Sequence, residues 1–347
     1  MLFFENDYSE GAHPRVLQSL LETNLTPQPG YGEDGFTAAA REKIRAACQC
    51  PQADVYFIAG GTQANMTVIR AYLHPTEGVV AADTGHIACH EAGAVESTGH
   101  KVLTVPGHEG KMDAGDLENL LKAFYADPNH AHMVWPGMAY ISHPTEYGTL
   151  YAAEELTGLS RVCAAYKIPL YVDGARLGYG LMSRGTDVTL PVLSAVCDCF
   201  TVGGTKVGAL CGEALVFPKG APRRFFTQVK QGGALLAKGR LLGAQFDALF
   251  TEDLYFEISR HADAMAEKMK RGIAALGYPL YLDSPTNQQF LVLTEGQLQR
   301  IGRRVRFSYW ERLNETSSVV RFAVSWATTE EQVDALLQVL KEEKEAE

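Results

Sequence analysis

Basic charge, paired cysteines and long apolar runs are what this chain has least of. Its 347 residues carry 31 Lys or Arg against 41 Asp or Glu, a formal net charge of −10. Nucleic acid and anionic membranes are recognised through a basic footprint, so the expected partners are small molecules. No apolar run reaches the roughly 18 residues that would span a bilayer. Met1-Leu-Phe-Phe-Glu-Asn-Asp7 also lacks the basic start and long apolar region of a signal peptide, and the expected location is cytoplasmic. The seven cysteines are an odd set: Cys48/Cys50 and Cys197/Cys199 as Cys-x-Cys pairs, plus Cys89, Cys163 and Cys211, with no Cys-x-x-Cys. They read as reduced, mostly buried thiols rather than a disulfide framework. A Gly-x-Gly-x-x-Gly fingerprint is missing too, since Ala59-Gly-Gly-Thr-Gln-Ala64 has the wrong spacing for a dinucleotide-binding Rossmann protein.

What is present suits a globular enzyme: 46% apolar residues and a length that fits roughly two domains. After His13-Pro14 an amphipathic segment runs to Glu22, the turn-rich stretch Thr26–Gly35 breaks the chain, and helical spacing resumes through Ala47. Strand and helix patterns then alternate. Strands are expected at Val55–Ala59, Val79–Ala82, Val102–Val105, Met138–Ser142, Leu170–Val172, Cys199–Val202 and Leu215–Phe217. Helices are expected from about Thr62, from about His86, and over Leu117–Tyr125 and Glu154–Tyr166. This alternation predicts an open α/β sheet, mostly parallel. Beyond Pro222 long helical stretches reach about Leu276, followed by strand-like Phe290–Leu293, Arg304–Tyr309 and Val319–Val324 and a last helix over Glu330–Leu340. The charged tail from Lys341 to Glu347 reads as a solvated helix end. The expected division is residues 1–245 as an N-terminal arm and large α/β domain, and 246–347 as a small α+β domain.

Three strand ends carry chemistry. In Phe200-Thr-Val-Gly-Gly-Thr-Lys206 a lone lysine follows a strand among small residues. Either it is a structural or solvent-facing lysine after a Gly-Gly turn, or apolar surroundings disfavour its ammonium and leave an amine able to attack a carbonyl, such as that of pyridoxal 5′-phosphate (PLP). In Ile58-Ala-Gly-Gly-Thr-Gln63 a strand runs through glycines into a helix start, where Gly61, Thr62 and Gln63 either bind a phosphate or merely begin a capped helix. In Leu170-Tyr-Val-Asp-Gly-Ala-Arg176 an acid ends a buried strand at the edge where open α/β sheets collect ligands. Asp173 there either pairs with a protonated ring nitrogen or serves as a cap or salt-bridge partner of Arg176.

The set Gly60-Gly-Thr-Gln-Ala-Asn65, His86-Ile-Ala-Cys-His-Glu91, Val172-Asp-Gly-Ala-Arg176, Thr201-Val-Gly-Gly-Thr-Lys206 and Val320-Arg-Phe-Ala-Val-Ser-Trp-Ala-Thr-Thr329 resembles the low-specificity threonine aldolases of the β-eliminating lyase group. The resemblance implies the aspartate aminotransferase fold (type I) with PLP as cofactor. It implies Lys206 as the Schiff-base lysine, Asp173 as partner of the pyridine nitrogen, Gly61, Thr62 and Gln63 on the phosphate, and His86 stacked on the ring. Arg176 and Arg321 would clamp the substrate carboxylate, a role suited to the planar guanidinium. It further implies a homodimer or homotetramer with shared active sites. Tyr31–Asp34 could reach a neighbouring site, and Lys230, Lys238 and Arg240 flank Gly232-Gly233 where the family has a basic phosphate contact. His86 and His90 have the i, i+4 spacing of a metal pair, but no third ligand stands at a recognisable spacing, so no metal is expected.

One segment departs from the family pattern. Where these aldolases have a histidine in an Asn-Thr-His-Asn-Gly segment, this chain has Pro144-Thr-Glu146-Tyr-Gly148. Glu146 is a candidate base toward a substrate hydroxyl. The expected activity is cleavage of threonine or allo-threonine to glycine and an aldehyde. The alternatives are a β-eliminating lyase or aminotransferase using the same Lys206 and Asp173, and more remotely a non-catalytic binding protein on the same fold.

Overall fold

The structure is a computed structural model that describes residues 1–345, so Ala346 and Glu347 at the end of the charged tail lie outside the described residues. Seven strands form the central sheet: β1 (Asp54–Ile58), β2 (Glu77–Ala82), β3 (Val102–Val105), β4 (Trp135–Ser142), β5 (Leu170–Asp173), β6 (Cys199–Gly203) and β7 (Glu213–Phe217). Their order is β1-β7-β6-β5-β4-β2-β3. The pairs β3/β2, β2/β4, β4/β5 and β5/β6 are parallel, whereas β7 is antiparallel to both β6 and β1. Six strands therefore share one direction, as the strand-helix alternation requires, and β7 alone runs against them.

The apolar runs have a direct cause. Every residue of β5, β6 and β7 is buried, because helices cover both faces of the sheet. Alternate residues feed separate cores: Ala139, Ile141, Leu170 and Val172 pack on one face, Met138, Tyr140 and Tyr171 on the other. The glycines after β5 and at the end of β6 are there for close approach. A Cβ on Gly174 would lie 2.1 Å from the Thr201 carbonyl oxygen, and one on Gly203 would lie 2.2 Å from that of Ala175.

The C-terminal part adds an antiparallel sheet of β8 (Gln288–Thr294), β9 (Ser308–Arg312) and β10 (Ser317–Ala323) in the order β8-β10-β9. The strand expected over Arg304–Tyr309 is split. Val305–Arg306 pairs in parallel with Leu2–Phe3, β9 begins at Ser308, and its register slips between Tyr309 and Glu311. The start of the chain is thereby tied to its end, and the Ala323 amide donates to the Phe4 carbonyl at 2.8 Å. The expected helix from His86 stops at Cys89, because Ala92 (φ 52°) and Gly93 (φ 74°) take left-handed backbone. The final helix, Glu330–Glu345, starts from a reciprocal cap in which Thr329 and Gln332 hold each other's amides. No helix among the described residues is long and apolar enough to cross a membrane.

Candidate active site

The carboxyl ends of β1, β2, β4, β5 and β6 open on one edge of the sheet, and the reversed β7 brings its first residue to the same edge. A cavity of about 290 Å³ lies there. Gly61, Thr62, His86, Glu146, Asp173, Arg176 and Lys206 all line it, although they span 145 positions of the sequence. Gln63 and Arg321 stand outside the lining.

At the β1 end, Gly60 precedes the helix Gly61–Tyr72 and no side chain caps that helix. A Cβ added to Gly60 or Gly61 would meet nothing within 4 Å. The turn thus offers open space in front of uncapped backbone N–H groups, the arrangement that receives an anion. Gln63 sits in the first turn, where its carbonyl accepts from the Thr67 hydroxyl at 2.7 Å.

Asp173 ends β5 buried and fully engaged. Its Oδ2 accepts from Asn65 Nδ2 at 3.0 Å and from the Tyr140 hydroxyl at 2.8 Å, and Oδ1 accepts from the Ala175 amide at 2.9 Å. Thr201 donates to Oδ1 at 3.5 Å and also receives the Gly174 amide at 2.6 Å, which fixes the turn behind the acid.

Lys206 follows β6, half-buried, with its carbonyl held by the Tyr179 hydroxyl at 2.6 Å. Burial, and then the positive charge of Arg176, lower the Lys206 ammonium below its usual range against the pull of Asp7, Asp173 and Glu213. Glu213 opens β7, opposite Ile58 on one side and Gly203 on the other. Burial raises its carboxyl to about 8, although Lys206 and a Thr205 hydrogen bond work against this, and its Oε2 has no hydrogen-bond partner.

On the opposite wall, the His86 amide and the Ser142 hydroxyl both donate to Glu146 Oε1, at 2.9 and 2.5 Å. Glu146 Oε2 is buried without a partner, and burial raises this carboxyl despite the Ser142 hydrogen bond. The His86 ring meets Glu91 Oε1 through Nδ1 at 2.8 Å, and the same oxygen accepts from Asn65 at 2.7 Å. The ring of His90 lies 5.8 Å from that of His86, centroid to centroid. Among the described residues no group of three His, Cys, Asp or Glu is placed to hold a metal ion.

The two arginines differ in what they have free. Arg176 donates Nε and Nη2 to the two oxygens of Asp7 at 2.7 and 3.0 Å, and Asn287 adds a third donor to that carboxylate at 2.9 Å. Burial by itself would raise Asp7, but the charges of Arg176, Lys206 and Arg321 hold it at about 2. Arg321 lies over the Trp310 ring and donates to Gln288 Oε1 and the Glu5 carbonyl, while its buried Nε has no partner. Burial, followed by Arg176, lowers Arg321 to about 10.

The Tyr31–Asp34 loop and the Gly232 segment meet at a separate cavity of about 220 Å³. Lys230 Nζ sits 4.7 Å from the Tyr31 ring centroid, Arg240 donates to the carbonyls of Thr23 and Thr26, and Lys238 is exposed. None of these three cations lines the cavity of Lys206 in its own chain.

Sequence reasoning missed Asp7, Glu91 and Glu213 as members of the site and did not single out Asn65. Asn65 and Glu91 stood within the quoted motifs, four residues on from Gly61 and five from His86, so helical and loop spacing was the available signal. Asp7 and Glu213 offered none, because their partners are set by the path of the arm and the direction of β7.

Comparison with known proteins agrees with this geometry. The sequence profile of the beta-eliminating lyases matches residues 21–295. A low specificity L-threonine aldolase of Pseudomonas aeruginosa is 28% identical over 338 residues, 96% of this chain and 95% of the relative. The solved structure of a threonine aldolase from Leishmania major superposes with a TM-score of 0.94 at 38% identity, covering 99% of both chains. Aspartate aminotransferase from Thermus thermophilus, 16% identical with a TM-score of 0.72 over 99% of this chain and 91% of its own, shares the fold. By motif, architecture and profile together, the chain belongs to the beta-eliminating lyase family.

Proposed function

We propose that the protein is a PLP-dependent carbon–carbon lyase of the threonine aldolase type, which cleaves a β-hydroxy amino acid such as threonine or allo-threonine to glycine and an aldehyde. One observation carries the reading. Lys206, Asp173 and the uncapped Gly60–Thr62 turn open into a single cavity, in a chain similar over its whole length to the Leishmania major threonine aldolase.

The donor set suits PLP. The amine of Lys206, shifted toward its neutral form, would anchor the aldehyde, the Asp173 carboxylate would face the ring nitrogen, and the amides of Gly61, Thr62 and Gln63 would receive the phosphate. His86 would supply a flat face to the ring. When bound, PLP supplies an electron sink for a bond broken at Cα. The chain's own residues do the rest. Glu146 Oε2, unpartnered beside the cavity, would take the proton of the β-hydroxyl as that oxygen becomes a carbonyl. Arg321 has a free donor in Nε, whereas Arg176 has committed Nε–H and one Nη2 hydrogen to Asp7, so an α-carboxylate would meet Arg176 through Nη1 and the second Nη2 hydrogen.

The exposed apolar face of the helix Pro14–Thr23 and its sequel, with Leu17, Leu21 and Leu25 exposed at 46, 72 and 90%, supports a homo-oligomer. A neighbouring subunit would then be the source of a phosphate-binding cation from the Lys230–Arg240 segment. The seven free cysteines support a reducing, cytoplasmic location.

Product analysis tests the activity. Purified enzyme given L-threonine or L-allo-threonine should release glycine and acetaldehyde in equal amounts. Pyruvate and ammonia from serine or cysteine, with no glycine from any β-hydroxy amino acid, would replace this reading with β-elimination.

A further inference from the structure

The hydrogen bonds around Asn65 form a directed chain with one consistent assignment. The Tyr171 hydroxyl donates to Asn65 Oδ1 at 2.7 Å, so the amide nitrogen is the end turned toward Asp173 and Glu91. That nitrogen has two hydrogens and two carboxylates within reach: Asp173 Oδ2 at 3.0 Å and Glu91 Oε1 at 2.7 Å. Glu91 Oε1 is thereby an acceptor. The same oxygen lies 2.8 Å from His86 Nδ1, and a carboxylate, which can only accept, takes the N–H of the ring there. Glu91 is buried, its side chain wholly so: Oε1 meets both of these groups, and Oε2 is buried without a partner.

We propose that Glu91 and Asn65 are positioning residues that hold His86 as its Nδ1–H tautomer and tie that ring to Asp173 through one amide group. A free imidazole side chain favours the Nε2–H form, so the carboxylate reverses the intrinsic preference. Nε2 is then the lone-pair nitrogen, left to accept a hydrogen bond or a proton from a ligand in the cavity that His86 lines. The groups facing His86 are Glu91 and His90 from its own loop, Glu146 across its amide, and Asp173 through Asn65. Asn65 cannot be replaced by an acid or an acceptor without setting two carboxylates against a third like group.

The use of Nε2 in turnover rests on the proposed function, but the tautomer does not. The test therefore reads the ring itself. The full chain, as purified, is labelled with 15N-histidine, and the long-range proton–nitrogen spectrum is recorded near neutral pH, with the His86 signals assigned by their loss in His86→Gln. The wild type should show a protonated Nδ1 and a bare Nε2. Glu91→Ala should convert the ring to Nε2–H, whereas Glu91→Gln, whose carbonyl oxygen still accepts, should keep Nδ1–H. A wild-type ring found as Nε2–H, or a Glu91→Ala ring that keeps Nδ1–H, would overturn the proposal. If Glu91→Ala does not fold, the wild-type spectrum decides alone. Product assays of the same wild-type sample can fail without altering this spectrum, so the two readings are separable.

Discussion

The middle of the cavity and its flanks treat their carboxylates differently. At the end of β5, Asp173 has donors on both oxygens, supplied by Asn65, Tyr140, Ala175 and Thr201. Glu146, after β4, and Glu213, at the start of β7, each keep a buried oxygen without a partner, and burial raises both acids. An acid surrounded by donors is built to remain an acceptor and to present fixed negative charge. An acid with an unmet oxygen and a raised affinity for protons is built to exchange one. Under the proposed function the contrast would give charge complementarity to Asp173 and proton handling to the glutamates, although all three line one space.

Asp173→Asn removes the fixed charge while keeping the shape, and is the largest break in that contrast. PLP should still bind while turnover falls by orders of magnitude, read as kcat with the cofactor absorbance as the control. Activity within about threefold of wild type, roughly 0.6 kcal/mol, would remove Asp173 from that role. Glu146→Gln comes next. Losing a general base costs about 10²–10⁴-fold in kcat, with a smaller effect on KM. Because the base must be ionised, wild-type kcat should rise with pH over the range in which Glu146 loses its proton, and the glutamine variant should lose that limb.

Two stability measurements sharpen the comparison. Asp7→Asn leaves buried Arg176 without its carboxylate, a change that costs about 3–5 kcal/mol. In the wild type, Asp7 lies at about 2 against 3.8 unperturbed, so its stabilisation is present above 3.8 and is lost as pH falls toward 2. Denaturant midpoints across that window should show the loss in wild type and not in the variant. Glu213 has the opposite sign. Its raised carboxyl, about 8 against 4.5, gives stability that is complete below 4.5 and is lost as pH climbs to 8. Thermal midpoints of Glu213→Gln should therefore decline less than wild type between those limits. Parallel curves would mean that Glu213 is not protonated in the folded chain.

Much of this site was legible because its pieces lie where a strand pattern stops. Apolar runs closed by Gly-Gly-Thr, Asp-Gly-Ala or Gly-Gly-Thr-Lys mark both the sheet and its ligand edge, so Lys206, Asp173 and the Gly61 turn follow from local sequence. Glu213 did not, because Leu215–Phe217 signals a strand without its direction, and only the reversal of β7 brings Glu213 to the cavity. Asp7 was hidden by distance: its partner Arg176 is 169 positions away, and the arm reaches it by pairing Leu2–Phe3 with Val305–Arg306. The helix expected from His86 does begin there, but its early end at Cys89 was not legible because left-handed backbone at Ala92 carries no side-chain signal. That turn places Glu91 against the ring it holds.

The central claim is that Lys206 and Asp173 serve one cofactor, with Lys206 bonded to it. Borohydride reduction of the purified protein, followed by proteolysis and mass mapping, tests this directly. The expected result is a pyridoxyl group on the peptide carrying Lys206 and bleaching of the visible absorbance. A label on Lys230 or Lys238, or no label on a protein that turns over substrate, would contradict it.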